Sequence, residues 1–364
     1  MIRFWVDLII LLLGYGAAAL LFFRIPFLPR KESAQAMRLS VIIPARNEEQ
    51  TLPLLLDDLL HQQLAPHEII VVNDESTDET AAIARSFGAC VLSPGNKPAG
   101  WVGKSWACQA GAEAATGDSF VFLDADVRLS PDGLGRIAAA HTAHGVVSVQ
   151  PYHATQRWFE QCALIFNLVQ IGANGSALPR PVNLGLFGPV FARSRTDYFA
   201  IGGHAGVKAA VVEDMALAES LRRANMPFCI FIGDAGVRFR MYPDGFVTLW
   251  QGFTKNLATG AAKTPIMLFL LVSLFIASIT SAPLNLIETL LIGSPRVLLY
   301  AVLYAVWIVA LFFLTRRIGK FRPLAVLLYP LPLLVFFAVF INSVTIRLLR
   351  RKVMWKGRAI ELER

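Results

Sequence analysis

Residues 4–23, FWVDLIILLLGYGAAALLFF, form a nearly unbroken apolar run of bilayer-crossing length. A chain that starts this way must fold everything else beside a membrane. A secretory signal peptide is the competing reading, and charge order excludes it. The basic residues follow the run, in RIPFLPRK (24–31), and no small-residue cleavage site appears. Basic residues after a span place the following chain on the cytoplasmic side, so residues 1–30 read as an anchor with its amino terminus outside. A second apolar territory, 264–346, contains three spanning candidates: 265–282, 297–314 and 323–344. The piece PLNLIETLLIG (283–293) is too short to cross and carries Glu288, which suits a re-entrant or interfacial segment. The charges conflict here. Three crossings leave the basic tail 347–364 outside, whereas a hairpin through 265–293 puts TRRIGKFR (315–322) outside. Both arrangements stay open.

Composition narrows the partners. The chain is 55% hydrophobic and 16% charged, with a net charge of +8 from 34 basic and 26 acidic residues. Much of the basic excess flanks the apolar runs, which fits lipid headgroups and membrane topology rather than nucleic acid. The four cysteines are scattered without metal-ligand spacing, so neither disulfides nor zinc are expected, and Cys90 and Cys229 fall in expected buried strands.

From 38 to 242 the texture changes to short apolar runs alternating with helical patterns. LSVIIPA (39–45), EIIVVND (68–74), ACVLS (89–93), FVFLDAD (120–126) and GVVSVQP (145–151) are the expected strands. Such alternation implies an α/β fold around a mainly parallel sheet. STDETAAIARSFG supplies a helix capped at Ser76 or Thr77 and stopped at Gly88. Ligands of such sheets lie beyond the carboxyl ends of the strands. Strand one ends in PARNEE, strand two in NDESTD and strand four in DAD, so Asn47, Glu48, Asp74, Asp124 and Asp126 converge on one edge. Simple turn or helix capping accounts for one such acid more easily than for three acid-bearing edges. An outward Asp-x-Asp suits a hard divalent cation, Mg2+ or Mn2+, shared with phosphate oxygens. Asp126 then ligates directly, while Asp124 holds a ribose or a metal-bound water. No G-x-x-x-x-G-K-[ST] loop is present, which argues against an ATPase.

Taken together, SVIIPARNEE, VVNDESTDET, FLDADV and VVEDMALAESLRRA (211–224) resemble the family-two glycosyltransferases with a GT-A fold. GWVGKSWA, SVQPYH, FGPV, GGH, RMYPDGF and WKGR extend the resemblance to the membrane glycosyltransferases of carotenoid biosynthesis. The resemblance implies an inverting hexosyltransferase. Its donor would be UDP-glucose, and its acceptor a membrane lipid, a carotenoid carboxylate of the 4,4'-diaponeurosporenoate kind. Another lipid (a polyprenyl phosphate, a hopanoid or sterol-like lipid, a diacylglycerol) or an inactive scaffold is the alternative. Asp214 matches the family's base, with Glu213 beside it at a helix start that also fits plain capping. Pro44, Ala45, Asn47, Glu48, Asp74, Asp124 and Ala125 fall where that family holds the nucleotide sugar. Asn73 departs from the pattern, where many relatives have an acid.

Lys104, between Trp101 and Trp106, opens a helix and either contacts the diphosphate or is simply solvated. His153 and His204 lack a second histidine at ligand spacing and read as loop or core residues. The family's Gln-x-x-Arg-Trp string is missing. In its place VTLWQGFTKNLATGAA (247–262), within 243–263, forms an interfacial helix carrying Trp250 and Lys255. With Arg240, these are assigned to closing the donor site. Lys356 and Arg358 of the tail either fold back to the diphosphate or flank the membrane. The expected location is the cell membrane, with several crossings and the catalytic domain facing the cytoplasm.

Overall fold

The computed structural model describes residues 2–30, 37–95, 97–210, 212–350, 352–355 and 358–361. The chain opens with α1 (Ile2–Leu21), followed by β1 (Leu39–Ala45), α2 (Leu52–Leu60), β2 (Glu68–Asn73), α3 (Thr80–Ser86), β3 (Cys90–Leu92) and α4 (Gly103–Ala114). Next come β4 (Ser119–Leu123), β5 (Val127–Leu129), α5 (Gly133–His144), β6 (Val146–Gln150), β7 (Tyr152–His153) and α6 (Ala163–Asn174). After these lie β8 (Val190–Ser194), α7 (Arg195–Ala200), α8 (Glu213–Arg223), β9 (Phe228–Ile232) and β10 (Val237–Phe239). The remainder is α9 (Phe246–Lys263), α10 (Ile266–Leu291), α11 (Val297–Ile318), α12 (Pro323–Leu327), α13 (Pro330–Thr345) and the hairpin β11 (Lys352–Trp355) and β12 (Arg358–Glu361).

These elements form two compact units. The α/β unit comprises Pro26–Ala154, Gly185–Met241 and Arg351–Arg364. Its main sheet runs β3-β2-β1-β4-β8-β6-β9, with every strand parallel except β8. Strands β1 to β3 proceed outward on one side while β4 lies on the other. The order therefore reverses between β1 and β4, and the carboxyl ends at such a switch point are where open α/β sheets bind ligands. The central strands β1, β4, β8 and β6 are buried on both faces, whereas the edge strand β3 is open to solvent. Val41, Ile43, Val71, Val121, Val147 and Val190 face one core layer closed by α2 and α5. A smaller sheet, β5-β10-β7, continues from the turn after β4.

The helical unit comprises Met1–Ile25, Thr155–Leu184 and Tyr242–Arg350. Thus 155–184, which interrupts the α/β sequence, folds with the apolar helices. Among the described residues, four helices are long and apolar enough to cross a membrane: Ile2–Leu21, Ile266–Leu291, Val297–Ile318 and Pro330–Leu349. Helix α1 packs on α10 through Gly14, where any Cβ would collide with Ser278. Ser278 Oγ donates to Leu11 O at 3.1 Å and accepts from Trp307 Nε1 at 3.1 Å, which ties α1, α10 and α11 together.

Four sequence expectations change. Helix α10 runs unbroken through Pro283 to Leu291, so 283–293 is no separate piece; a proline costs one backbone bond, and packing against α1 carries the helix past it. Helix α3 starts at Thr80 rather than after Ser76 or Thr77, because Asp78 Oδ1 takes the Thr80 N–H at 3.1 Å. Cys90 is exposed on the edge strand β3, and Cys229 is half-buried; neither is a core residue. Met215 is half-buried, whereas Leu217 and Leu221 do face inward.

Candidate active site

Side-by-side parallel pairing of β2, β1 and β4 delivers Asp74, Pro44–Ala45 and Asp124 to one edge. The loops after β1 and β2 are knitted together. Arg46 Nη1 donates to the carbonyls of Asp74 (2.7 Å) and Glu75 (3.1 Å), and Asn47 Oδ1 accepts from Thr77 N at 2.9 Å. Glu48 Oε2 accepts from Thr51 Oγ1 at 2.6 Å. Asn47 and Glu75 both sit in the left-handed region, with φ of 52° and 54°. Asparagine tolerates that conformation, whereas glutamate is strained in it, and such strain gathers where a loop must hold one shape.

Asp124, Ala125 and Asp126 form a tight turn from β4 into β5, closed by Val127 N donating to Asp124 O at 3.1 Å. Both carboxylates are half-buried. Lys104, in the first turn of α4, places Nζ 2.7 Å from Asp124 Oδ1 and 3.4 Å from Glu213 Oε1. Burial works against the Lys104 ammonium, but Asp124, Glu213 and Asp214 outweigh it and hold its pKa well above the ordinary lysine value. Glu213 and Asp214 open α8, and Arg222 and Arg223 close it, so both helix ends carry the charge that the dipole favours. The lysine thus joins acids from two separated stretches into one ionic cluster.

A short segment, 185–190, fixes that cluster. Leu186 N donates to Asp214 O at 3.3 Å, and Asp124 N donates to Pro189 O at 2.9 Å. A Cβ on Gly188 would lie 2.5 and 2.6 Å from the two Asp214 carboxylate oxygens, so only glycine lets the carboxylate rest there. Ser148 Oγ accepts from Phe187 N at 2.6 Å and donates to Phe187 O at 2.9 Å, locking the same turn from β6. Behind α4, Tyr198 Oη contacts Gln109 Oε1 (3.1 Å) and His204 Nδ1 (2.8 Å). Burial depresses the His204 pKa to about 3, so the ring is neutral at physiological pH. His204 is therefore a core residue. His153 is also buried, packed on the Phe239 ring.

The remaining expected residues lie elsewhere. Arg240 follows β10 in the α/β unit, and Trp101 packs edge-on against Trp106 at 5.2 Å. Trp250 and Lys255 lie on α9 in the helical unit. Lys356 falls outside the described residues, as does the Arg358 side chain, although the Arg358 backbone pairs with Trp355. Gly188, Ser148, Gln109 and Tyr198 were not singled out from sequence. FGPV and GGH marked the loops, but nothing in the string shows a carboxylate resting on a glycine.

Among the described residues, no group of three or more His, Cys, Asp or Glu side chains could hold a metal alone. The pair Asp124 and Asp126 still fits Mg2+ or Mn2+. Both ligands are hard oxygens, a cationic group already sits 2.7 Å from Asp124, and such ions characteristically take one or two carboxylates with phosphate oxygens and water.

A family model, Glycosyl transferase family 2, matches residues 40–214, from β1 through Asp214. The chain belongs to this family, and it is a glycosyltransferase. It is 35% identical over 334 residues to the 4,4'-diaponeurosporenoate glycosyltransferase of Staphylococcus aureus (strain USA300), covering 90% of this chain and 89% of that protein. The protein of the same name in strain MRSA252 matches to the same extent. Mannosyltransferase PcManGT from Pyrobaculum calidifontis, solved with GDP-Man and Mn2+, shares the GT-A fold. Its TM-score is 0.57 at 17% identity, covering 95% of this chain and 99% of that one.

Proposed function

We propose that this glycosyltransferase moves a hexose, glucose from UDP-glucose, with inversion onto the carboxylate of a membrane lipid, a carotenoid acid of the 4,4'-diaponeurosporenoate kind. The observation that carries the reading is the cluster at the carboxyl ends of β1, β2 and β4, where Lys104 bridges Asp124 and Glu213 beside Asp214. The shared name of the 35%-identical relatives supports the acceptor, and the apolar helices support its delivery from a bilayer.

In this reading the strand-one edge, Pro44 to Glu48, and Asp74 hold the uracil and ribose. Asp124 and Asp126 would hold Mg2+ or Mn2+, and a bound ion would supply countercharge to the departing diphosphate. Lys104 adds a second positive charge on the same side. The acceptor carboxylate oxygen attacks the anomeric carbon, the C1–O bond to the diphosphate breaks, and UDP leaves with the electron pair. A carboxylate is already ionised at neutral pH, so no proton must be removed. Asp214 then orients the acceptor or a sugar hydroxyl, held in place by Gly188. Trp250, Lys255, Arg358 and Lys356 are assigned to the donor by their order in the sequence, and the catalytic unit to the cytoplasmic face by the charges after α1.

The test uses detergent-held protein, radiolabelled nucleotide sugars and lipid extract from carotenoid-producing cells, with and without manganese. Metal-dependent label migrating with pigment is the expected result. Label in a colourless lipid would keep the transferase and retire the carotenoid, and no transfer from any donor would overturn the proposal.

A further inference from the structure

The helical unit has two ends of different chemistry. At one end Arg3 Nη2 meets Glu288 Oε2 at 2.5 Å, Arg296 stacks over the Phe4 ring, and Asp7 lies one turn along α1 from Arg3. Bases and acids balance there. The other end is where the chain passes into the α/β unit, at residues 25, 155, 184 and 242. It carries Arg24, Arg157, Arg316, Arg317, Lys320 and Arg322 against two acids: Asp244, which is exposed, and Glu160, which is buried and accepts from the backbone N–H groups of Gln156 and Arg157. Trp158 stands 72% exposed within this basic face.

Helices α1, α10 and α11 each run from one end to the other. Leu21 and Phe22 border Gly172, and Leu268 borders Gly175, at the junction end; Glu288 and Arg296 lie at the Arg3 end. Helix α11 then returns, because Thr155 Oγ1 donates to Lys320 O at 2.5 Å and Arg322 N donates to Gln161 Oε1 at 2.8 Å.

The fourth apolar helix behaves differently. It leaves from Arg322 at the junction end and reaches inward, where Tyr304 Oη donates to Leu327 O at 2.7 Å. Tyr304 lies fourteen residues before Ile318, about 21 Å along α11. The chain bends at Leu328–Tyr329, ahead of Pro330 and Pro332. Helix α13 then ends beside α9: Ser343 Oγ donates to Thr254 O at 2.6 Å, and Arg347 Nη1 donates to Ala258 O at 3.1 Å. Both ends of α9 sit at the junction face. Pro243 O, just before it, accepts from Arg157, and Lys263 leads directly into the start of α10. The described residues after Arg350, 352–355 and 358–361, group with the α/β unit.

We infer that α12–α13 enters and leaves the bilayer on the side of the α/β unit, so that α1, α10 and α11 alone cross, and that the basic face so formed seats against anionic lipid headgroups. This arrangement places 24–31, 315–322 and the basic tail on one side. It removes the charge conflict that either four crossings or a hairpin through 265–293 creates. Trp158 takes the interfacial depth that tryptophan favours.

The test is sided labelling of full-length protein in sealed vesicles with a membrane-impermeant maleimide. Exposed Cys90 reports the side of the α/β unit. In a Cys90→Ser background, Ile292→Cys, Lys320→Cys and a cysteine appended after Arg364 report the other positions. The expected result is that Lys320→Cys and the appended cysteine label from the Cys90 face, and Ile292→Cys from the opposite face. An appended cysteine labelling with Ile292→Cys would show α13 crossing and overturn the inference. So would Lys320→Cys labelling from that face, or staying silent from both until detergent is added. For the headgroups, the thermal midpoint should be higher in phosphatidylglycerol than in phosphatidylcholine nanodiscs, and Arg316→Gln/Arg317→Gln/Lys320→Gln should at least halve the difference. Equal midpoints for the unaltered protein would remove the lipid partner.

Discussion

At the strand edge of the α/β unit, charges from residues 104, 124, 213 and 214 are packed within a few ångströms of one another. Midway along the apolar helices, the contacts among α1, α10 and α11 join uncharged groups: Ser278 to Leu11 and Trp307, and Tyr15 to Leu303 O at 2.6 Å. The contrast follows from desolvation. A clustered charge is tolerable where water, phosphate or metal can still reach it, as at half-buried Asp124 and Asp126. Inside a bilayer nothing relieves it, so charge retreats to the helix ends and neutral hydrogen bonds hold the middle. On the proposed function, one unit recruits a polyanion and the other lies in lipid.

The contrast can be broken most severely at its charged pole. Asp126→Ala should lower transfer by about 10³-fold or more, because the countercharge at the leaving diphosphate is worth several kcal/mol. Its thermal midpoint, read beside transfer, separates loss of the bound ion from loss of the fold. Steady-state transfer and a melting curve on one preparation check both. Gly188→Ala comes next. The added methyl displaces the Asp214 carboxylate, so kcat should fall by about 10²-fold while donor KM changes little. An equal loss in KM would move Asp214 to donor binding.

Effects on stability should be smaller. His204 has an ordinary pKa of 6.5 and a folded pKa of about 3, so below pH 6.5 the unfolded chain takes up a proton that the folded chain refuses. Its contribution is complete above pH 6.5 and is lost as pH falls toward 3, by about 1.4 kcal/mol per pH unit inside that window. A His204→Gln variant should flatten this part of the pH–stability curve. Lys104 runs the other way. Its raised pKa makes the stabilisation constant through neutral pH and loses it only above the ordinary lysine range. Lys104→Met should cost about 1–3 kcal/mol, discounted because the lysine is about a third exposed, and Lys104→Arg should recover part of it. At the apolar pole, Ser278→Ala removes two hydrogen bonds and should cost about 1 kcal/mol, at about 0.6 kcal/mol for each bond between membrane helices.

What could be read in the sequence follows the same division. Strand ends carrying Asp74, Asp124 and Asp126 were legible because short apolar runs stop at them, and the sheet brings those ends together as the alternation implies. The spans were legible by length and hydropathy. Hydropathy does not report direction, however, so the bend before Pro330 and the bonds returning α13 to α9 came only from the structure. Pro283 looked like a break, and packing against α1 overrode it. Gly188 and Ser148 were hidden for a different reason. Their work is done on residues far away in sequence, and one string carries no sign of such a contact.

The central claim is that one carboxylate edge binds the donor through a divalent ion. Calorimetric titration of UDP into nanodisc-held protein, with and without Mn2+, for the unaltered chain and Asp126→Ala, tests it most directly. The expected result is binding that requires Mn2+ and vanishes in Asp126→Ala while the melting curve is preserved. UDP binding that is indifferent to the metal, or equal in the two proteins, would contradict it.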